Sequence, residues 1–356
     1  NLANLYKEMN EPGKVKELYL EAINIDEANG GPTSLDYATS CIGLAAYFMD
    51  LDEFENAEQL YLRALAIQEK KLGIKHPSYA STCSGLAVVN EKMENNKKAL
   101  SYYTKAKEIW QETLGDLHPY YGLSCANLAN FYWKQRQTLK AEEEFIESFA
   151  VNDYNQNTFF QFTNEKEKAA FIKNVLGEDD NAYSFFYSEK IASGLPYTIS
   201  LFRRNLILSS LQSLKQQLFS TNDSVLSNKF NEWMRLKKYL SELYSMPVYE
   251  RKDDPVKIEE IAGQLEKELV RSSSGFKKQM QKTDWKDIQE KLQGDEASIE
   301  FVSFHYNHVS KSGMQDADSI LYIALILKKD KLFPEMVSLF KENQLMDVLS
   351  AEGKKE

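Results

Sequence analysis

Residues 44–68, LAAYFMDLDEFENAEQLYLRALAIQ, and residues 86–110, LAVVNEKMENNKKALSYYTKAKEIW, are two copies of one pattern. A shift of 42 residues lays Leu44 on Leu86, Ala45 on Ala87, Ala57 on Ala99, Tyr61 on Tyr103, Ala64 on Ala106 and Ile67 on Ile109. The same stride runs outward in both directions. Leu2, Ala3, Tyr19, Ala22 and Ile25 precede; Leu128, Ala129, Ala141, Phe145, Ser148 and Val151 follow. Tyr37, Tyr79 and Tyr121 keep step as well. Self-similarity at a fixed stride marks stacked supersecondary units. Inside a unit the spacing is helical, because Ala57, Leu60, Tyr61, Ala64, Leu65 and Gln68 follow the i, i+3, i+4, i+7 face. Small Ala residues at the crossing points let two antiparallel helices approach closely. Helix pairs are expected at about 1–28, 34–72, 77–114 and 119–153.

This order of Leu-Ala, aromatic, Ala, aromatic and Ala resembles the tetratricopeptide repeat. The period exceeds that family's usual length of about 34 residues. The extra residues fall at Leu72-Gly73 with His76-Pro77 and at Leu114-Gly115 with His118-Pro119. In that respect the array resembles the long-period repeats of kinesin light chains. The first unit lacks its opening turn, so the polypeptide is expected to continue upstream of Asn1.

The resemblance implies a concave groove lined by the first helix of each unit. Carried over residue by residue, it assigns Thr39, Ile42, Ala46, Met49 and Asp50 in the second unit. The third supplies Ser81, Ser84, Val88, Glu91 and Lys92; the fourth supplies Leu123, Ala126, Asn130, Trp133 and Lys134. Such a surface suits an extended peptide or a helix of a protein partner. Only Lys92 and Lys134 are basic, so the cationic clamp of chaperone-tail binders is missing. The competing reading folds the groove onto later segments of the same chain.

Charge narrows the partner class. The 356 residues carry a formal charge of −10, and residues 1–157 hold 15 Lys/Arg against 23 Asp/Glu. That field disfavours direct contact with a nucleic-acid backbone. No run of apolar residues approaches the ~18–20 that a membrane helix requires. Cys41, Cys83 and Cys125 are one repeat column, which is more simply a packing position than a redox or metal cluster. Three unpaired cysteines and no visible signal peptide fit a reducing, cytoplasmic setting.

After the repeats the stride is lost at Tyr154–Glu165, read as a connector. Helical patterning returns at about 164–176, 180–193, 196–220, 223–246 and 255–275. Asp223 and Asp254-Pro255 suit helix starts. Trp233, Leu236, Leu240 and Leu243 form one apolar face; Ile258, Ile261, Leu265 and Leu269 form another. Glu266-Lys267-Glu268 and Arg271 read as a solvated side. Asp284-Trp285 opens a short helix to about Leu292. Ala297–Phe304 and Ile320–Leu327 then read as strands joined by the polar stretch Asn307–Asp318. The second strand is apolar on both faces, as in a buried α/β sheet. Phe333–Phe340 is ambiguous and Glu342–Leu349 looks helical. The fold class is therefore mostly α: a right-handed solenoid of helix pairs, continued by a helical bundle, with a small α/β piece at the end. Domain limits are placed at 1–157, 158–295 and 296–356.

A series of short motifs covers this second half. They run from Glu165-Lys166 and Ala170-Phe171 through Leu240-Ser241-Glu242-Leu243-Tyr244 and Trp285-Lys286-Asp287-Ile288. They continue to Glu296-Ala297-Ser298-Ile299-Glu300-Phe301 and Tyr322-Ile323-Ala324-Leu325. Their order resembles the junction between tetratricopeptide arrays and a CHAT domain, a caspase-like peptidase domain of bacteria. The resemblance implies a His/Cys dyad on later strands, beyond Glu356, so this chain itself is expected to hold no catalytic residue. Neither a cofactor nor a metal is implied. His305 and His308 lie near Glu300 and Asp316, but positions i and i+3 of a strand face opposite sides. The expected role is a repeat sensor and linker serving such a peptidase. The alternatives are a plain scaffold and a receptor for a signal peptide.

Overall fold

The computed structural model describes residues 12–160, 167, 179–204, 224–246, 251–272, 284–310 and 313–352. The chain divides into two compact units, Asn1–Asn152 and Asp153–Glu356.

The first unit is a tandem of helix pairs. In chain order these are α1 (Pro12–Gly30), α2 (Leu35–Asp50), α3 (Phe54–Leu72), α4 (Pro77–Lys92), α5 (Asn96–Leu114), α6 (Pro119–Lys134) and α7 (Thr138–Phe160). Both ends of each pair are written in the sequence. Ser34 Oγ accepts from the Tyr37 amide at 3.2 Å and caps α2. His76 and His118 stand in the same column, and each Nδ1 accepts from an amide two residues on, at 3.1 Å. Pro77 and Pro119 then occupy the first helical turn, where a missing N–H costs nothing. Gly31, Gly73 and Gly115 close the second helices with φ of 80°, 84° and 87°, which an L side chain resists. Within the pairs, Ala57, Ala64, Ala99, Ala106 and Ala141 are buried where the helices cross.

Helix α7 runs seven residues past the expected limit of 153, through much of the stretch read as a connector. Residues 138–160 contain neither Gly nor Pro, and Asn and Gln alone do not stop a helix.

In the second unit, α8 (Asp180–Glu189) is followed by a helical segment at 195–204. Helices α9 (Ser224–Ser245) and α10 (Pro255–Ser272) pack through Leu226, Trp233 and Leu240 against Ala262 and Leu269. Ile261, assigned above to that face, is 53% exposed, and Ala262 takes its place. Glu266 belongs to the same stripe and is buried, contrary to its reading as a solvated side. The buried positions are 262, 266 and 269, against 261, 265 and 269 of the expected stripe, so a small rotation of the face explains both corrections. Asp254 Oδ1 accepts from the Val256 amide at 3.0 Å, as a cap before Pro255 should. Asp223, and the expected helix at 164–176 apart from residue 167, lie outside the described residues.

Helix α11 (Trp285–Lys291) starts in a capping box between Asp284 and Asp287. Strands β1 (Ala297–Ser310), β2 (Gly313–Lys328) and β3 (Glu335–Lys341) form an antiparallel sheet in the order β1-β2-β3, and α12 (Glu342–Glu352) follows. The polar stretch Asn307–Asp318 is mostly ladder rather than connection: pairing runs out to Ser310 with Gly313. Polar side chains on a two-stranded arm need no core, so hydropathy hides it. The double-faced apolar pattern of β2 comes from its central place in an antiparallel sheet. Leu321, Ile323, Leu325 and Leu327 are buried on one face, while Tyr322 on the other stacks on Phe340 at 4.8 Å.

A candidate partner-binding groove

Of the fifteen groove positions, ten are the strongest candidates, and α2, α4 and α6 carry all of them. At the mouth, Thr39 is exposed, and its hydroxyl donates back to the Leu35 carbonyl at 2.9 Å. Ser81 does the same to Pro77 at 3.2 Å. Both hydroxyls satisfy their own helix and offer their remaining surface to a visitor. Ile42, Met49, Ser84 and Val88 are half-buried, and Ile42 and Met49 rest on the unit's main core cluster. Small or apolar side chains therefore occupy these candidate positions.

Polar features sit toward the other end of the helices. Glu91 forms an ion pair with Lys134 of the next repeat. Its second oxygen accepts from the Tyr103 hydroxyl at 2.8 Å. Burial, with the Glu91 carboxylate adding to it, pushes the Tyr103 phenol up and keeps it a donor. Three groups on α4, α5 and α6 are thereby locked together. Asn130 is half-buried, and its Oδ1 is shielded without a hydrogen-bond partner among the described residues. A buried acceptor left unpaired costs free energy. Asp50 and Lys92 are exposed at the groove's edge. Trp133 is 1% exposed, so its indole is a packing element and offers no surface.

The Glu91–Lys134–Tyr103 triad is the feature that column matching misses. Its members are 43 and 12 residues apart, one step off the stride, and only opposite charges in adjacent columns of successive units hint at it.

Behind the groove, each unit repeats its polar contacts with variations. Ser40 donates to Asp26 at 2.6 Å, and Thr82 donates to Gln68 at 2.8 Å. In the third copy Trp110 replaces the acceptor, and its Nε1 is buried without a partner among the described residues. Arg63 and Lys105 donate to the Tyr37 and Tyr79 hydroxyls, each at 2.8 Å. The fourth unit inverts the polarity, since Tyr121 donates to Glu147 at 3.3 Å. The three cysteines are fully buried. Burial pushes the Cys83 and Cys125 thiols up to about 12, against the pull of Lys105 and Lys107. A nucleophilic cysteine requires the opposite shift.

The second unit holds its own titratable and aromatic groups. His305 is exposed and pairs with Ile320, whereas His308 lies half-buried with its ring stacked on Tyr306 at 6.1 Å. A bulge between His305 and Asn307 is held by Ser184, whose hydroxyl accepts from the Asn307 amide at 3.0 Å. Glu300 is engaged by Arg204 in an ion pair. Tyr187, Tyr197, Tyr306, Leu325 and Met336 line a cleft of about 670 Å³.

Residues 36–106 and 80–152 each match the family model described as tetratricopeptide repeat. No curated protein matches the chain. Among solved structures, the chain is similar to BtubC (BKLC) from P. vanneervenii at 20% identity and a TM-score of 0.39. The match covers 42% of this chain and 59% of that one. It is also similar to a putative kinesin light chain with nearly identical TPR-like repeats from Podosopora anserina, at 23% identity and a TM-score of 0.39. That match covers 42% of this chain and 71% of the other. Residues 36–152 thus carry tetratricopeptide repeats, a scaffold for protein–protein interaction.

Proposed function

We propose that the tetratricopeptide unit docks a peptide or helix of a protein partner along α2, α4 and α6. Its contact residues are Thr39, Ile42, Met49, Asp50, Ser84, Glu91, Lys92, Asn130 and Lys134. One observation carries this reading: along α2, α4 and α6 the candidate positions combine half-buried Ile42, Met49 and Ser84 with exposed Thr39, Asp50 and Lys92. A chain passing over them buries apolar surface while its polar groups meet the exposed side chains. Trp133 takes part only by holding α6 in place.

The second half is the junction and first strands of a caspase-like domain, and the repeats serve a bacterial cytoplasmic cysteine peptidase as its sensor. The order of motifs from Glu165 to Glu342 supports this part. The dyad belongs to residues other than the three cysteines here, whose thiols are held protonated by burial.

Selection of a random-peptide display library on the chain tests the docking reading. Peptides so selected should lose binding to Val88→Arg and to Asn130→Leu, with the thermal midpoint held. Selected peptides indifferent to both variants would place the site elsewhere. The peptidase reading is tested on the complete gene product: cleavage abolished by alkylating a cysteine outside these residues is expected, and its absence sinks it.

A further inference from the structure

The turn between the two helices of each unit has the same backbone in all three described copies. Asp52, Glu94 and Arg136 occupy one column, with φ of 57°, 61° and 58°. Glu53, Asn95 and Gln137 then donate to Phe48, Asn90 and Tyr132 at 2.9, 2.8 and 2.9 Å. Equivalent turns of stacked helix pairs line one edge of the array, beside the groove. Their composition is far from equivalent. Residues 50–56 carry Asp50, Asp52, Glu53 and Glu55, a charge of −4. Residues 92–98 carry Lys92, Lys97 and Lys98 against Glu94, a charge of +2. Residues 134–140 carry Lys134, Arg136 and Lys140, a charge of +3.

Most of these side chains are exposed; Glu53 and Lys134 are half-buried. Lys134 is paired with Glu91, and Lys98 stands 3.5 Å from Glu58. Counting those two carboxylates with their own repeats leaves the order from acidic to basic unchanged. The outer turns are two repeats apart, roughly 20 Å at the usual spacing of packed helices. The Debye length at physiological salt is about 8 Å, so a ligand reads the two ends separately.

We infer that this edge selects a partner segment of split charge, with basic residues against the second repeat and acidic residues against the fourth. A uniformly acidic chain, nucleic acid included, meets repulsion at Asp50–Glu55. A uniformly basic one meets it at Lys134–Lys140. Only a bipolar segment is attracted along the whole edge, and the gradient also sets which way round it lies. This rests on the docking reading and deepens it by stating the partner's chemistry.

The test uses the full chain and three fluorescent peptides of about 14 residues, long enough when extended to span about 45 Å. Two carry four Lys at one end and four Glu at the other, in the two possible orders. The third has the same composition with Lys and Glu alternating. One block peptide should bind at least tenfold more tightly than the alternating one, and that advantage should shrink as salt is raised. Glu55→Lys with Lys97→Glu and Lys140→Glu more than halves the gradient, from −4, +2 and +3 to −2, 0 and +1, and should bring the ratio toward one. All three residues are exposed and lie in the first turns of their helices, and two of the changes place Glu where the helix dipole favours it. Equal binding of block and alternating peptides overturns the inference and leaves docking standing. No binding by any of the three also overturns the inference, and docking is then decided by the library selection. Self-association in sedimentation velocity that the peptides do not compete away also overturns it, by making a second copy the occupant.

Discussion

Gly85 and Gly73 look alike in the sequence and are required for different reasons. A Cβ on Gly85 would lie 2.8 Å from the Tyr61 ring, so the constraint is a neighbour. A Cβ on Gly73 meets nothing within 4 Å, but φ is +84° there, so the constraint is the backbone. Gly85→Ala should destabilise by about 1–3 kcal/mol, as overpacking does. Gly73→Ala should cost about 1–2 kcal/mol by strain alone. Chemical denaturation measures both, and Tyr61→Leu should relieve only the first. The cysteines give a pH-dependent expectation. Their folded values are raised, so their contribution is complete below about pH 8.5, the free-thiol value. It is lost as pH rises toward about 12. Stability should fall over that window and fall less in Cys83→Ala with Cys125→Ala. Neither native thiol should react with iodoacetamide at pH 8 faster than the protein unfolds. At this scale the buried Ala and aromatic columns were readable because their spacing is rigid. Ile261 and Glu266 were not, because a stripe four residues wide can be rotated by one without changing its periodicity.

Among the elements, the helix starts carry the clearest chemistry. The His118 Nδ1 can accept from an amide only when the ring is neutral. His118→Ala should lower stability by about 1 kcal/mol, and His118→Ser should restore most of it, since Ser34 does the same task in the same column two units earlier. In the second unit, Arg203 donates to Asp179 at 2.9 Å from Nε and lies over the Tyr183 ring at 5.5 Å. Burial pushes the Asp179 carboxyl up, with Arg203 opposing. Arg203→Met leaves that carboxylate buried and alone, at a cost of about 3 kcal/mol near neutrality. The loss should lessen as the pH is lowered toward the raised carboxyl value, where Asp179 takes up a proton. A loss independent of pH would show that packing of the arginine, and not its charge, matters. Element ends were legible wherever a cap, a Pro or a Gly marks them. Helix α7 and the outer arm of the β1–β2 hairpin overran their expected limits because nothing in those stretches forbids continuation.

For the whole molecule, two cores imply two reporters. Trp110 and Trp133 are buried in the first unit; Trp233 and Trp285 are buried in the second. In variants keeping one tryptophan each, Gly85→Ala should move the midpoint seen by Trp110 more than that seen by Trp285, and Arg203→Met should do the reverse. Equal shifts would show that the chain unfolds as one cooperative body. The repeat architecture was legible because one constant stride governs every column. The candidate groove's positions came from the family resemblance, carried along that stride. Its polar triad and the burial of Trp133 did not, because they depend on contacts between neighbouring columns that periodicity does not encode.

The joints between repeats are not interchangeable, and that bears on how the array can be lengthened. Residues 34–75 form a cassette whose two ends carry matching caps and a matching glycine. Splicing in a second copy sets Gln68 opposite Ser40, an amide facing a hydroxyl that can bond to it. Duplicating residues 76–117 instead sets Trp110 opposite Thr82, an indole donor in place of the acceptor that Gln68 supplies, and gives the first of the two Trp110 rings Ser78 where the other has Tyr120 to stack on. Growth by insertion is therefore compatible with the acidic end of the array and resisted at the end where tryptophan seals the joint.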